Sequence, residues 1–481
     1  MGLESVREAC GIIAVYDVEK PVFDKIFYGL MALQHRGQES VGVAVREEKG
    51  KIILGKAMGL VGENLSIEEL SFLTGRSGIG HVRYSTVGRS NLTDAQPFSL
   101  GDIALAYNGN LVNYGELRQT LTSSGISFTS RCDAEIMLKI LACKLKEGYD
   151  LFNALSEMAS MVEGAYSSIC LTDKGEILVF RDPYGFKPLC YGKLNETVIG
   201  SSESVAIDMC GGELVSDVQP GEALLISDSG IEKKRFVSCG RRAYCMFEYV
   251  YFSRPDSVIE GKSVYDVRLK LGMNLAKTFD GEVDIIVPVP DTSRPAAEGI
   301  SRVSGLSVAE GLIKNRYVHR TFIMPRETRR EDAVKIKLNP LKSVLKNQRV
   351  LLIDDSIVRG TTIKNIVHMI KKTGAREVHV RITCPPITSP CFYGIDIATH
   401  GELIASKKSV EDVCKTIGAA SLEYQTIEGL VEAIGLRRED LCLACLTGEY
   451  PTPKAQNLAD KMMEKQEFQQ NTRYIEFGVV G

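Results

Sequence analysis

Two adjacent aspartates, Asp354 and Asp355, end an apolar run and are followed by a short loop rich in hydroxyl groups. The run reads VLLIDDSIVRGTT from Val350 to Thr362, and its hydroxyls belong to Ser356, Thr361 and Thr362. Main-chain N–H groups at the start of a helix, together with such hydroxyls, can surround a phosphate, and Gly360 allows close approach of the main chain. The carboxylates suit ribose hydroxyls, or a magnesium ion held between a sugar and a pyrophosphate. The segment therefore predicts a site for a phosphorylated sugar.

A simpler interpretation of this segment is an ordinary strand-to-helix turn with an aspartate as its N-cap. A cap needs one such residue, whereas this segment has two acids and four loop-type residues. The segment resembles the signature of type I phosphoribosyltransferases, which bind phosphoribosyl pyrophosphate at this element. The resemblance implies an α/β domain with a mostly parallel sheet and the site at the carboxyl ends of its strands. The binding residues that it implies are Asp354, Asp355, Ser356, Arg359, Gly360, Thr361 and Thr362.

A second segment of the C-terminal half resembles another part of that site. Pro288–Ser293 (PVPDTS) is a strand end followed by a turn, and it looks like the family's pyrophosphate loop. A magnesium ion would accompany the pyrophosphate. The resemblance implies that its contacts are Ser293, Asp354 and Asp355.

A basic stretch that begins with Lys314 and Tyr317 resembles the family's mobile catalytic flap. The resemblance implies that both residues contact phosphoribosyl pyrophosphate. Basic groups there would stabilise the charge that grows on the leaving pyrophosphate. Taken alone, the stretch is more typical of a solvated loop, because Glu327, Glu331 and Asp332 interrupt it.

One cysteine among thirteen carries no meaning by itself, but Cys10 opens an ordered series of short motifs. They are CGIIAVYD, QHRGQES, HVRYST, YNGNLVN and RCDAE, beginning at residues 10, 34, 81, 107 and 131. Together they resemble the glutaminase domain of the N-terminal-nucleophile amidotransferases, which implies an α+β fold of stacked antiparallel sheets between helices. For Asn108-Gly109 alone, a hairpin turn between apolar residues is an alternative.

This resemblance implies attack of a thiol on the side-chain amide of glutamine. The nucleophile would be Cys10, and its base would be its own α-amino group, whose pKa lies near neutrality. Only a first residue has such an amine, so Met1–Ala9 is expected to be a propeptide that is removed. The resemblance places the oxyanion hole at Asn108 and Gly109. It assigns the α-carboxylate and the α-amino group of the substrate to Arg83 and Asp133.

The partner domain distinguishes among the enzymes that share such a front half. Asparagine synthetase, glutamate synthase and glucosamine-phosphate synthase types carry other partners. A front half of this kind joined to the phosphoribosyl pyrophosphate signature is similar to one family, the glutamine phosphoribosylpyrophosphate amidotransferases. The segments EYVYFSRPDS, GLIKNRYVHRTFI and PCFYGID extend the resemblance over nearly the whole chain. It implies that glutamine and phosphoribosyl pyrophosphate give phosphoribosylamine, glutamate and pyrophosphate, the first step of de novo purine synthesis. It also implies a homotetramer that purine nucleotides inhibit.

Two other classes of protein would share part of this sequence pattern. A regulator that senses phosphoribosyl pyrophosphate would need VLLIDDSIVRGTT, but neither a flap nor an N-terminal nucleophile, and would usually carry a DNA-binding segment. A glucosamine-phosphate synthase would carry sugar-isomerase repeats in place of a single phosphoribosyl site. An assay of pyrophosphate release that requires both substrates separates all three.

Cys442 and Cys445 form a C-x-x-C pair near the end of the chain. Alone, this spacing suits zinc, a redox pair, a corner of an iron–sulfur cluster or coincidence. The chain resembles the propeptide-bearing, iron–sulfur branch of the family, in which Cys245 and Cys391 would complete the ligands of a [4Fe-4S] cluster. Cys384 is a rival ligand, because it lies seven residues before Cys391.

Two domains with different patterns of apolar residues position these side chains. From Cys10 to about Val237, short apolar runs separated by Gly, Asn and Asp predict a strand-rich domain, and Val22–Leu33 has helical spacing. After about Cys239, strands alternate with amphipathic helices such as Thr361–Gly374, which predicts a parallel sheet. The expected division is a propeptide at 1–9, a glutamine amidotransferase domain at 10–238, a phosphoribosyltransferase domain at 239–450 and a polar, peripheral tail at 451–481.

The composition of the chain limits its class. A chain of 481 residues is too long for a single core, and its 44% hydrophobic and 25% charged residues are ordinary for a globular protein. A net charge of −3 argues against nucleic acid or a membrane surface as partner. No apolar run reaches the ~18 residues that span a bilayer, and MGLESVREA lacks the apolar core of a secretory signal. We therefore expect a cytoplasmic protein whose cysteines are thiols or metal ligands rather than disulfides.

Overall fold

The computed structural model describes residues 10–47, 50–65, 70, 72–84, 91–238, 240–277, 281–315, 338–397 and 399–465. Met1–Ala9, the expected propeptide, and Tyr317 of the expected flap lie outside the described residues. Lys314 lies within them, at the end of a short strand.

Two antiparallel sheets form the centre of the first domain. Among the described residues its strands are β1 (Gly11–Tyr16), β2 (Ser40–Arg46), β3 (Ile52–Met58), β4 (Ser77–Arg83), β5 (Phe98–Leu100), β6 (Ile103–Leu111), β7 (Gly164–Thr172), β8 (Ile177–Arg181), β9 (Cys190–Leu194), β10 (Thr197–Ser201), β11 (Glu213–Asp217), β12 (Glu222–Ser227) and β13 (Gly230–Arg235). One sheet has the order β11-β9-β10-β1-β4-β2-β3, and the other has the order β13-β12-β8-β7-β6-β5. Apolar residues of β1, β4, β6 and β7 pack between the sheets.

Helices cover the outer faces of both sheets. They are α1 (Phe23–Ala32), α2 (Tyr114–Ser123), α3 (Ala134–Lys146), α4 (Leu151–Met161) and α5 (Ser204–Met209). Helices α1 and α5 pack on the seven-stranded sheet, and α2, α3 and α4 pack on the six-stranded sheet. The buried face of α1 includes Ile26 and Leu30, as the helical spacing of its sequence predicts. The predicted fold of stacked antiparallel sheets between helices is therefore confirmed.

A parallel sheet forms the centre of the second domain, as predicted. The strands of this domain are β14 (Tyr244–Cys245), β15 (Val258–Ile259), β16 (Lys262–Ser263), β17 (Ile285–Pro288), β18 (Leu312–Lys314), β19 (Leu338–Pro340), β20 (Arg349–Asp354), β21 (Glu377–Ile382), β22 (Ser421–Tyr424) and β23 (Leu441–Cys442). Its helices are α6 (Val264–Ala276), α7 (Arg294–Ser304), α8 (Lys342–Leu345), α9 (Thr361–Lys372), α10 (Val410–Ile417), α11 (Ile427–Ile434), α12 (Ala444–Thr447) and α13 (Pro453–Lys465). The sheet order is β17-β20-β21-β22, with every neighbouring pair parallel.

The central strand β20 is covered on both faces. Leu352 packs with Ile363 and Ile366 of α9, whereas Leu351 packs with Ala297 of α7 and its neighbours. A strand covered on both faces needs an unbroken apolar run rather than alternation. This is the reason that VLLI precedes the two aspartates.

The segment after Pro451 differs from the expected peripheral tail. Its first part is helix α13, in which Ala455 and Ala459 are buried. They pack beside Phe392 and Tyr450 in one apolar cluster. Leu458 and Met462 pack partly buried against the same cluster. This apolar face is narrow within a polar sequence, so the overall polarity of the segment did not predict that it packs on the domain.

No helix in the described part of the chain is both long and apolar enough to cross a membrane.

Candidate active sites

Cys10 directly precedes β1 and lies beside Arg83 at the end of β4. The two strands are antiparallel with Gly11 opposite Val82, so the register continues to Cys10 and Arg83. The Cys10 thiol lies 3.5 Å from the main-chain carbonyl oxygen of Tyr84. Burial raises the pKa of this thiol, and the Arg83 guanidinium opposes the rise. As a nucleophile, the thiol would therefore need a base.

Asn108 faces the same space between the two sheets as Cys10. Ile12 of β1 packs in one cluster with Ala106 of β6, and residues two apart on a strand share a face. Cys10 precedes Ile12 by two residues, and Asn108 follows Ala106 by two. The Asn108 Nδ2 is buried, and no described residue accepts a hydrogen bond from it. Asn108 and Gly109 lie inside β6, which excludes the hairpin-turn alternative.

The main-chain N–H of Gly109 points toward the edge of β6 at which Asp133 lies. Alternate residues of a strand direct their N–H groups to the same edge. Tyr107 donates its N–H to Gln96 Oε1 at 2.8 Å, and Leu111 donates its N–H to Asp133 Oδ2 at 3.0 Å. Gly109 stands between Tyr107 and Leu111 in this alternation, so its N–H is directed to the edge that Asp133 occupies.

Asp133 and Arg83 supply opposite charges near the thiol. Asp133 precedes α3 and is buried. Burial raises the pKa of its carboxyl, while the nearby Tyr107 side chain, the hydrogen bond from the Leu111 N–H and the charge of Arg83 oppose the rise. Both charges act on the Cys10 thiol. A carboxylate and a guanidinium at this spot match the α-amino and α-carboxylate groups of an amino acid.

A buried ion cluster anchors the main chain of Cys10. Arg36 donates its Nε–H to the Cys10 carbonyl oxygen at 3.0 Å. Its Nη1 donates to Glu203 at 2.5 Å, and its Nη2 donates to Glu248 at 2.8 Å. Burial alone raises the pKa of both glutamates, but for Glu203 the charges of His35 and Arg36, and for Glu248 chiefly Arg36, bring the pKa below its ordinary value. Because Glu248 belongs to the second domain, this cluster joins the two domains.

The sugar-phosphate loop of the second domain follows β20. Gly360 adopts a positive φ of 83°, and α9 begins at Thr361. A Cβ on Gly360 would stand 2.8 Å from Ile404, so a glycine is needed there. Thr361 and Thr362 occupy the first turn of α9, where main-chain N–H groups have no partner within the helix. Ser356 donates its hydroxyl to Asp355 at 2.7 Å.

Asp354 is buried and Asp355 is partly buried, and the pKa values of both carboxyls are raised. Burial and the neighbouring Asp355 hold the pKa of the Asp354 carboxyl well above its ordinary value. Burial likewise raises the pKa of Asp355 to about 6, against hydrogen bonding by Ser356 and the charge of Arg268. A cation or hydroxyl donors would stabilise the charged form of such adjacent carboxylates. These groups would lie between the carboxylates and a bound sugar phosphate.

The other expected sugar-phosphate residues fall into two groups. Ser293 precedes α7 in the loop after β17 and is buried, and its hydroxyl has no hydrogen-bond partner among the described residues. Lys314 reaches the same loop, where its Nζ lies 2.8 Å from Asp291 Oδ2. Arg359 instead forms an ion pair with Glu402 at 3.0 Å. The first two thus lie at the expected pyrophosphate loop, while Arg359 is held to one side.

Four cysteines converge where the C-terminal segment meets the rest of the second domain. Cys245 of β14 stands directly opposite Cys442 of the parallel strand β23. The main-chain carbonyl oxygen of Cys445 accepts hydrogen bonds from Thr388 and Ser389, just before Cys391. Each of these thiols acts electrostatically on Cys445, and so does Cys384. The rival ligand therefore lies near the set as well.

Burial raises the pKa of all four thiols, that of Cys245 to about 12. Lys187 opposes the rise at Cys245, Cys391 and Cys442. The Lys187 Nζ is buried, 3.8 Å from Glu248, and has no hydrogen-bond partner among the described residues. Across the described ranges, no three His, Cys, Asp or Glu side chains are placed closely enough to hold a metal as they stand.

Sequence motifs did not single out Arg36, Glu203, Glu248, Lys187 or Arg268. Arg36 stands inside QHRGQES, but nothing local to that motif identifies its partners. Its two carboxylates are 167 and 212 residues away along the chain. The available signal was a charged residue inside a buried apolar segment, as in CMFEYVYF around Glu248.

Two domain families match the chain. A glutamine amidotransferase domain matches residues 81–209, and a phosphoribosyl transferase domain matches residues 265–389. The chain is 46% identical over 466 residues to the amidophosphoribosyltransferase of Methanothermobacter thermautotrophicus, covering 96% of this chain and 98% of the relative. It is 48% identical to that of Methanocaldococcus jannaschii, covering 92% and 98%.

A solved structure of the glutamine phosphoribosylpyrophosphate amidotransferase from Bacillus subtilis, in complex with ADP and GMP, has the same overall fold. The TM-score is 0.86 and the sequence identity is 41%, over 92% of this chain and 98% of that one.

Proposed function

The chain belongs to the amidophosphoribosyltransferase family, and we propose how its residues divide that family's reaction between two sites. The enzyme transfers ammonia from glutamine to phosphoribosyl pyrophosphate and gives phosphoribosylamine, glutamate and pyrophosphate, the first step of purine biosynthesis. The observation that carries the proposal is the meeting of Cys10, Arg83 and Asp133 at one end of the stacked sheets.

In the first site, Arg83 and Asp133 hold the amino-acid end of glutamine, and Cys10 attacks the side-chain amide carbon. The new C–S bond moves an electron pair onto the amide oxygen. Asn108 Nδ2 and the Gly109 N–H donate hydrogen bonds to that oxygen, which stabilises the tetrahedral intermediate. Its collapse breaks the C–N bond, and the α-amine returns the proton that it took from the thiol to the leaving nitrogen, which departs as ammonia. Water then hydrolyses the thioester to glutamate.

The base for this thiol is the α-amine of Cys10 itself, which requires removal of Met1–Ala9. Burial raises the pKa of the thiol, so a proton acceptor close to the sulfur is needed. The Arg36 hydrogen bond to the Cys10 carbonyl oxygen supports this role, since it fixes the main chain that carries the amine.

In the second site, ammonia attacks the anomeric carbon of phosphoribosyl pyrophosphate. The C–O bond to pyrophosphate breaks, pyrophosphate leaves with the electron pair, and the nitrogen loses a proton. Ser356, Thr361, Thr362 and Gly360 bind phosphate at the start of α9, with Arg359 once it leaves Glu402. Lys314 and Tyr317 contact the pyrophosphate end, where Lys314 already lies beside the loop of Asp291.

Asp354, Asp355 and Ser293 fit a magnesium ion. The two carboxyls with raised pKa values and the buried Ser293 hydroxyl, for which the described part of the chain supplies no hydrogen-bond partner, are hard oxygen ligands. Bound with the substrate, the ion would supply charge neutralisation to the pyrophosphate.

By the chemistry of their thiols, Cys245, Cys391, Cys442 and Cys445 suit a [4Fe-4S] cluster, and they would have to move closer together than they stand in the described structure to hold it. They form a thiol set of the soft type that iron–sulfur clusters use, with the buried ammonium of Lys187 as a nearby positive charge. A cluster there would supply cross-links between β14, β23 and the segment before β22, and no step of the transfer requires electrons.

Two further properties belong to the proposal. The Bacillus subtilis structure with ADP and GMP supports inhibition of this enzyme by purine nucleotides. A homotetramer is the assembly that we propose for the active enzyme.

Substitution of Cys10 separates the two sites. Cys10→Ser is expected to abolish synthesis from glutamine and to retain synthesis from ammonia at high pH, because the sugar site needs only the nucleophile. Asp354→Asn with Asp355→Asn is expected to end both routes. Pyrophosphate release with each nitrogen donor measures both effects.

Matched controls are Cys143→Ser and the double substitution Glu411→Gln with Asp412→Asn, which make the same chemical changes away from both sites. Loss of the ammonia route in folded Cys10→Ser protein would contradict the division of roles.

A further inference from the structure

The segment Cys391–Gly394 packs directly against the strand that carries the expected oxyanion hole. Asn110, the residue after Gly109 in β6, donates its Nδ2–H to the Phe392 carbonyl oxygen at 3.0 Å. A Cβ built on Gly394 would stand 3.2 Å from both the carbonyl carbon and the carbonyl oxygen of Gly109. The two glycines are therefore in main-chain contact across the domain boundary.

Gly109 needs such a neighbour because it has no side chain to restrict its main chain. A Cβ at Gly109 would stand 1.9 Å from the Ala165 carbonyl oxygen, so no other residue fits there. Glycine has the widest choice of φ and ψ, and a rotation at Gly109 would turn its N–H away from the edge that Asp133 marks. Contact with Gly394 limits that rotation from the open side of the strand.

The supporting segment is itself held firmly. Tyr393 stacks on Phe186 of the first domain with ring centroids 4.0 Å apart. Phe392 lies against Tyr450 with centroids 4.8 Å apart, and the Tyr450 hydroxyl donates to the Pro390 carbonyl oxygen at 2.7 Å. These contacts come from both domains, so the segment can act as a fixed surface for β6.

We propose that Gly394 and Phe392 are positioning residues for the oxyanion hole, which hold the Gly109 N–H in its productive direction through contacts at Gly109 and Asn110. The inference rests on the proposed role of Asn108 and Gly109 as oxyanion donors. The segment that begins at Cys391 belongs to the second domain. In this proposal the second domain therefore takes part in glutamine hydrolysis through a packing contact, which is distinct from its role in substrate binding.

The test compares Gly394→Ala with Gly418→Ala in the full-length enzyme. Both glycines have positive φ values, 95° and 74°, but a Cβ on Gly418 meets nothing within 4 Å. Loss of one oxyanion donor lowers kcat by ~10²–10³-fold, so we expect Gly394→Ala to lower the kcat of glutamine hydrolysis about tenfold or more. The KM for glutamine and the rate with ammonia should stay within about twofold, because the displaced donor acts only on the developing oxyanion.

Asn110→Ala removes the hydrogen bond to Phe392 without adding backbone strain, and it decides the matter if Gly394→Ala does not fold. We expect the same loss of kcat at unchanged KM and unchanged iron content. Equal loss of the glutamine and ammonia routes, or an effect no larger than that of Gly418→Ala, overturns the proposal.

Asn108→Ala separates this inference from the proposed function. Retained glutamine hydrolysis in Asn108→Ala means that the oxyanion assignment itself is wrong. Loss in Asn108→Ala together with full activity in Gly394→Ala and Asn110→Ala means that only the positioning role is wrong.

Discussion

At the scale of single residues, Cys10 combines a partly buried thiol with a main chain whose carbonyl oxygen is bound by the protein. The thiol has a raised pKa and lies beside Arg83 and Asp133, while the Arg36 guanidinium binds the carbonyl oxygen of the same residue. The side chain is therefore presented to a substrate, and the main chain is fixed by the protein. An α-amine at this position would be held within reach of its own sulfur.

The first residue of the active enzyme is expected to be Cys10. If the α-amine is the base, any residue that remains before Cys10 converts that amine into an amide, which cannot accept a proton. N-terminal sequencing and intact mass of the active preparation measure this directly. Full glutamine-dependent activity in protein that still carries Met1–Ala9 would contradict the prediction.

The sequence predicts the position of a functional residue when its motif is local. It does not predict the position of a residue whose partners are distant along the chain. Asp354 and Asp355 follow an apolar strand within a single run of letters, so their position at a strand end was predictable. Lys187 has no such motif. Its significance depends on Glu248 and on three cysteines that only the tertiary structure brings near it.

At the scale of elements, the short strands β14 and β23 and the helix α12 bring distant cysteines together. Cys245 and Cys442 are opposite each other in a two-stranded parallel pair, and Cys445 follows in α12. So short a pair has little stability of its own. A metal cluster that bound these thiols would therefore contribute strongly to the structure of this region.

Cys445→Ser is expected to yield apo protein that is poorly folded at its C-terminal segment. Protein purified without oxygen should contain about four iron and four sulfide per chain before the change and little iron after it. Iron content, visible absorbance and limited proteolysis measure these effects.

Cys384→Ser is the matched control, because Cys384 is also buried and lies near the set. It should retain iron if the four ligands are those proposed. One zinc and no iron in the anaerobic preparation of the unaltered protein would refute the cluster.

The elements themselves were largely predictable, for a physical reason that also explains the exception. Helix α9 shows its apolar stripe at Ile363, Ile366, Val367 and Ile370, each of which is buried. In helix α13 the fully buried residues are the small Ala455 and Ala459, and the larger Leu458 and Met462 pack only partly buried against the same cluster within a polar sequence. Hydrophobic periodicity reveals a helix only when its buried face is apolar enough to stand out.

At the scale of the whole molecule, a buried ion cluster around Arg36 and Glu203 is one of the contacts that join the domains. Arg36 of the first domain binds Glu248 of the second, and Glu203 of the first accepts hydrogen bonds from Arg254 and Ser257 of the second. These groups are buried or nearly so, and each has charged partners. Such a cluster tolerates the loss of a member poorly, because the remaining charges stay buried.

Arg36→Met is expected to lower the free energy of unfolding by about 3–5 kcal/mol, the usual cost of leaving buried charges unpaired. Urea unfolding measures the change. Arg349→Met is the control, since Arg349 forms partly exposed ion pairs with Asp284 and Glu282, and such pairs contribute about 0–1 kcal/mol. Equal effects of the two substitutions would contradict the prediction.

The same cluster sets a pH dependence with a definite sign. The pKa values of Glu203 and Glu248 lie below the ordinary 4.5 in the folded protein. Their contribution is therefore fully present above pH 4.5 and is lost as the pH falls below it. In Arg36→Met, Glu203 keeps His35 and Glu248 keeps Lys187 as nearby positive groups, so this pH dependence should become weaker, as urea unfolding at a series of pH values measures.

The position of Glu248 in the chain has a consequence for the order of events during synthesis. The glutaminase domain is translated first, and domains generally fold in that order as they leave the ribosome. Arg36 then has Glu203 for a partner, but Glu248, Phe392 and Gly394 have yet to be made. The contacts to Cys10 and to the strand of the proposed oxyanion hole are thus completed by residues that are translated later, so a nascent or truncated first domain lacks part of the support for its proposed active site.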